Sequence, residues 1–229
     1  MRIAWIDTLK GFAMLTVVLG HVVQGYQVAG FFPEYAVYLD GVFDGIYSFH
    51  MPLFFMASGY LYEMTWNENK SASWGKIRHK FWDTMALYVL FSLLFWGTKT
   101  LAASHVQMNH VISAEELLLI PVAPLSYLWF LYVLMALFVV VPVMVQRVPQ
   151  RGILLAMFTA GYLLLGPAGT MGRFFYGGFY FVLGSWLRQW HFETMPKNLK
   201  QGVFLLSVIT CVMSIIRYAD TGGAGQLST

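Results

Sequence analysis

The sequence predicts an all-α fold: a polytopic integral membrane helix bundle of about seven transmembrane helices with its N-terminus in the cytoplasm. Three observations carry this. Of 229 residues, 58% are hydrophobic and only 11% charged, and mean hydropathy is +0.61; a soluble domain needs about 25% charged residues to keep its surface wet. Seven stretches approach the roughly 20 apolar residues that carry a helix across the hydrocarbon core. The Lys and Arg residues collect on one side of the threaded chain.

In order, the stretches are 5–28, 42–62, 84–104, 125–146, 152–170, 172–190 and 202–219. The first has the length of a signal peptide's apolar region between Gly11 and Val23. Asp7 is unusual in such a leader and no A-x-A cleavage site follows, so it reads as a retained helix. Between the third and fourth stretches, residues 111–124 are too few to cross. Ser113 three residues before Glu116 has capping-box spacing, which suits a short helix lying at the interface. Residues 1–220 form one transmembrane domain, and 221–229, with Gly222, Gly223 and Gly225, form a Gly-rich tail.

Orientation follows from charge. With the N-terminus inside, only Lys99, Arg173 and Arg217 of the 14 Lys and Arg residues fall outside. The first outer loop has neither Lys nor Arg, only Glu34, Asp40 and Asp44, so the positive-inside rule fixes the threading. A net charge of +3 is too small to argue for nucleic acid. Cys211 is the single cysteine, so no internal disulfide forms and the redox compartment is not legible.

The first helix is more than an anchor. Asp7, Lys10, Met14, Val17, His21 and Gln24 recur at spacings of three and four and share about a third of the helix circumference. A charge at mid-bilayer costs at least ~2.5–3.5 kcal/mol, so this stripe should face the bundle interior or a wet cavity. His21 lies about 16 Å beyond Lys10 along the axis, in the outer half of the membrane. The plain alternatives are an interfacial Asp7–Lys10 pair that snorkels and a neutral His21 bonded across helices. On the second helix, His50 sits at a depth like that of His21. Pro52 two residues on removes a backbone donor, clashes with the carbonyl of Ser48, and predicts a break that protein or water must satisfy. A structural kink with a packed histidine is the alternative.

Here a resemblance enters. Residues 6–22 closely resemble the opening of acyltransferase-3 proteins, in which Arg or Lys precedes a histidine about three turns further on. Lys10 and His21 fit, with Lys where Arg is commoner. Residues 49–60 resemble the second helix of the family's sugar O-acetyltransferase branch, 76–81 the basic start of its third helix, 128–131 its fourth, and 179–188 a later helix rich in Phe and Gly. The resemblance covers the chain, more weakly after residue 140. It implies transfer of an acyl group, usually acetyl, from cytoplasmic acyl-CoA to a hydroxyl of a cell-envelope or exported glycan or glycolipid, with acetyl-CoA as co-substrate, no metal, and the bacterial inner membrane as the location. Family members usually carry more than seven helices, so the chain is expected to be short of the last ones.

The residues make chemical sense of this. A hydroxyl is a poor nucleophile until a base takes its proton, and histidine titrates in the right range. His21 is the expected base, with His50 assisting or positioning the acceptor. An acetyl-histidine relay is the alternative route. Lys10 suits the thioester oxyanion or a CoA phosphate. Lys76, Arg78 and Lys80 are expected to bind the CoA phosphates, although the positive-inside rule alone would place cations there. Asp7, Gln24 and Trp129 are expected on the acceptor side. His105 and His110 are five apart with no carboxylate placed to complete a metal site. The competing class is a proton-coupled transporter of a small solute or lipid-linked substrate, which also uses a polar stripe, a broken helix and paired histidines. No inverted duplicate of the broken segment occurs in the second half. A retinal pump would need a lysine in its last helix, and 202–219 has none.

Overall fold

A computed structural model describes residues 4–30, 32–68, 73–102, 128–166 and 169–189, with Ile120, Pro124 and Asn198 as isolated positions. The described chain is helical, without strands. Helix α1 spans Ala4–Ala29, and a 3-10 turn at Pro33–Tyr35 leads into α2, Ala36–Glu68. Then follow α3 (Ser73–Ala102), α4 (Trp129–Arg147), α5 (Arg151–Leu165) and α6 (Gly169–Gln189). The predicted interfacial helix at 111–124, the seventh stretch at 202–219, the Gly-rich tail, and His105, His110 and Cys211 lie outside the described residues.

Among the described residues, three helices are long and apolar enough to cross a membrane: Trp5–Gln27, Trp74–Leu101 and Trp129–Arg147. Arg151–Leu165 is a shorter apolar helix. Their outward faces are apolar; on α1, Phe12, Leu15, Val18, Leu19 and Val22 are all exposed, as expected where the surrounding solvent is lipid. Hydroxyls inside the helices are satisfied locally. Thr16 donates to Ala13 O at 2.8 Å, Thr84 to Lys80 O at 2.8 Å and Ser92 to Tyr88 O at 2.7 Å. These bonds to a carbonyl one turn back satisfy the hydroxyl without water.

Several predicted bounds differ: α2 extends six residues beyond 42–62 at each end, and α5 stops at Leu165, short of 170. Helix α3 begins eleven residues before the apolar stretch at 84, because its basic first turns are helical although they are not apolar. Helix α2 runs through Pro52 without interruption. Pro52 removes one hydrogen bond, but its own φ suits a helix, and the helix is continuous on both sides of it.

The helices divide between two compact units, one within Met1–Ala57 and the other Ser58–Arg188. In the first, Gly20 of α1 meets α2: a Cβ there would sit 3.2 Å from the Tyr47 ring and 3.3 Å from Ile46. In the second, α3 packs along α4 through Tyr88 and Met135, joined by Ile120, with Phe81, Met85, Leu131 and Tyr132 around them. The Tyr88 hydroxyl donates to Ile120 O at 2.9 Å. The inward side of α4 is a run of buried Val133, Leu134, Leu137, Phe138 and Val141. Gly59 lies against the backbone carbonyl of Phe181 on α6, whereas Gly161 and Gly178 face the rings of Phe175 and Phe158. Small residues bring helix backbones together where no hydrophobic drive between helices operates.

These contacts rank the glycines. A ring can turn aside and a carbonyl in a helix cannot, so Gly59→Ala is expected to destabilise more than Gly161→Ala, by a difference of about 1–3 kcal/mol. Thermal unfolding of the two variants in detergent measures it; equal midpoints would show that the α2–α6 contact yields.

Candidate functional site

The first unit brings the two predicted histidines to one ring. Tyr47 of α2 stands edge-on to both, its centroid 6.4 Å from that of His21 at 85° and 4.6 Å from that of His50 at 84°. Phe43 packs on Tyr47 from one turn earlier, at 4.2 Å. Gly20, beside His21, is the residue that admits the Tyr47 ring. His50 is buried, with 1% of its surface exposed, and its Nδ1 lies 2.6 Å from Ile46 O. A carbonyl only accepts, so in the neutral ring Nδ1 carries the proton and Nε2 the lone pair. His21 is half-buried. One histidine is therefore fixed in tautomer and enclosed, and the other stays open to its surroundings.

The rest of the stripe on α1 divides. Lys10, Val17 and Gln24 are half-buried like His21, while Asp7 and Met14 are exposed. The innermost face carries Ile6, Ala13, Thr16 and Gly20 instead, so the polar stripe flanks the buried face and does not coincide with it. Gln24, one turn beyond His21, has its Oε1 buried with no hydrogen-bond partner among the described residues. A carbonyl so placed can accept a hydroxyl. Further out, the Gln27 amide donates to the Asp40 carboxylate and ties the end of α1 to α2.

In the second unit, the three predicted phosphate-binding cations do not share a side of α3. Arg78 lies two residues from both Lys76 and Lys80, about 200° around the helix. Lys80 turns toward α4, with Nζ 5.8 Å from the centre of the Phe138 ring, and lines a small cavity with Tyr62, Thr65, Trp66 and Ile77. Arg78 faces a separate open groove bounded by Trp74, Phe81, Trp82 and Val139. Trp129, at the start of α4, is capped by the Arg173 guanidinium of α6, 5.2 Å from its ring centroid, a cation–π contact.

The same unit holds a constellation that the sequence did not disclose. Arg151, Glu63 and Ser185 are all buried. Arg151 Nη2 donates to Glu63 Oε2 at 2.8 Å, Arg151 Nε to Ser185 Oγ at 3.1 Å, and Ser185 Oγ to the same Glu63 oxygen at 2.6 Å. Arg151 Nη1 reaches Pro149 O at 3.4 Å. Helices α2, α5 and α6 are thereby joined through one desolvated carboxylate. The partners are 88 and 122 residues from Glu63 in the chain, and each in isolation looks like an ordinary residue near a helix end.

Long apolar helices, with histidines and a desolvated ion pair held inside them, define an integral membrane protein built around interior polar groups. A family model described as an acyltransferase domain matches residues 3–228, and the chain belongs to this acyltransferase-3 family of membrane acyltransferases. No curated protein and no solved structure matches it.

The ion pair yields a test that does not depend on activity. Removing one partner leaves a buried charge uncompensated and costs about 3–5 kcal/mol, whereas an apolar pair of similar volume is tolerated. Arg151→Leu is expected to lower the unfolding midpoint in detergent sharply, and Glu63→Leu added to it should recover much of the loss. A double variant no more stable than Arg151→Leu would refute a coupled pair.

Proposed function

We propose that the protein transfers an acetyl group from cytoplasmic acetyl-CoA to a hydroxyl of a cell-envelope or exported glycan or glycolipid, with His21 as the general base. The chain crosses the bacterial inner membrane seven times from a cytoplasmic N-terminus, a threading supported by the bias of Lys and Arg in the sequence. The observation that carries the chemistry is that His21 and His50 both pack against one ring, Tyr47. What supports the division of labour is the difference between the rings. His50 has its Nδ1 committed to Ile46 O and is enclosed, which suits a group that orients its neighbours. His21 is reachable, as a base that must meet a substrate has to be.

The acceptor hydroxyl attacks the thioester carbonyl as His21 takes its proton; a C–O bond forms, the C–S bond breaks, and the departing CoA thiolate recovers the proton from the imidazolium. Lys10 offers a positive charge to the carbonyl oxygen as it becomes anionic, a contribution that grows where water is excluded. Gln24 Oε1, buried and without a partner among the described residues, accepts a second hydroxyl of the acceptor. The donor phosphates are assigned to Arg78, the one of the three predicted cations that lines the open groove, a charge-assisted partner for an anion.

A positioned base contributes roughly 10²–10⁴ in rate. His21→Ala in membranes carrying the protein is expected to reduce CoA release from acetyl-CoA by that factor at an unchanged protein level. CoA release that persists in the variant would remove His21 from the role; solute flux with no CoA release in the unaltered protein would instead favour a proton-coupled carrier.

A further inference from the structure

Along the first turns of α3, Trp74, Arg78 and Trp82 recur every four residues and share one face. With Ile77, Phe81 and Val139 of α4 they line an open groove of about 520 Å³. Each indole is held from one side and open on the other. Trp74 meets the Trp66 ring at 6.4 Å and 82°, and Trp82 meets Phe81 at 5.6 Å and 82°, yet 45% of Trp74 and 59% of Trp82 remain exposed. Arg78 is the charged side chain that lines the groove, and the Asp83 carboxylate, in the adjoining groove, lies 2.7 Å from His79 Nδ1. Successive residues of the stripe are about 6 Å apart along the axis. Rings fixed by their neighbours lose little freedom on stacking a planar ligand, and a guanidinium between them is matched to phosphate oxygens.

We infer that this groove binds the nucleotide half of the acyl-CoA donor, with the adenine stacked on Trp74, the phosphates on Arg78 and the pantetheine arm laid along Trp82. The assignment rests on the acyl-CoA reading above and adds to it an aromatic subsite. The three chemical pieces of the donor, a flat base, an anionic centre and an apolar arm, follow one another as the three side chains do. Trp74 takes the base because it lies nearer the start of α3, the cytoplasmic end in the proposed threading. The other use of exposed indoles at a helix end is anchoring at the membrane interface, which has no preference for one thioester donor over another.

Two donors separate these uses: acetyl-CoA, and acetyl-pantetheine, which lacks the nucleotide. Base stacking on an aromatic side chain is worth roughly 1–3 kcal/mol, so Trp74→Ala is expected to raise KM for acetyl-CoA about tenfold or more with kcat unchanged. KM for acetyl-pantetheine should not move, and Trp74→Phe should restore most of the acetyl-CoA affinity. In the unaltered protein, adenosine 3′,5′-bisphosphate should compete with acetyl-CoA, a measurement that needs no variant to fold. The inference is overturned if Trp74→Ala raises KM for both donors equally or for neither, or if the bisphosphate does not compete. Failure of the unaltered protein to use either thioester strikes the donor reading itself, and is distinct from loss of discrimination between the two.

Discussion

The carboxylate of Glu63 is the most demanding group in the structure. It is fully enclosed among helices whose outer faces are apolar, and Arg151 and Ser185 close on one of its oxygens. That requirement sets the relation of three helices. The end of α2, the beginning of α5 and the last turns of α6 must stay together for the charge to be tolerated. The close approach of Gly59 to the Phe181 carbonyl, one turn earlier on α2, becomes possible along the same seam. The same rule operates in miniature wherever a Ser or Thr hydroxyl turns back on its own helix, and at His50, whose ring nitrogen is bonded to the carbonyl of Ile46.

The histidine pair obeys the same constraint. A neutral imidazole needs a partner for one nitrogen in order to leave the other defined, and His50 has such a partner within its own helix. Tyr47 packs edge-on to both His50 and His21, an arrangement of quadrupoles that aromatic rings favour. The glycine before His21 is what lets Tyr47 approach so closely. The side chains on the flank of α1 to which we assign the acceptor and its proton, His21 and Gln24, are only partly buried.

Much of this was legible in the sequence, and the gaps have physical causes. Long apolar helices leave an unmistakable compositional record, so α1 and α4 appear close to where hydropathy places them. Helix α3 starts earlier than its apolar part because lysines and tryptophans form helix as readily as leucines near an interface. Pro52 predicted a break and α2 has none: a proline takes away one hydrogen bond, and tertiary packing decides whether the axis bends. Lys76, Arg78 and Lys80 read as one cluster along the chain, yet a separation of two residues on a helix puts side chains on opposite sides, which separates Arg78 from Lys80. The spacing of His21 and His50 to like depths was readable from rise per residue; their common neighbour Tyr47 was not, since nothing in a single helix says which turn of another it will meet. The Glu63–Arg151–Ser185 cluster was hidden for the same reason, and because positive-inside counting explains an arginine between two helices without needing a partner.

The proposed division of labour between an accessible working histidine and an enclosed orienting one can be read by chemical modification. Diethyl pyrocarbonate acylates neutral imidazoles that it can reach. Mass spectrometry of the purified protein should find His21 modified and His50 untouched, with acetyl transfer lost in proportion to the His21 adduct. Full modification of His21 with transfer intact would contradict the account.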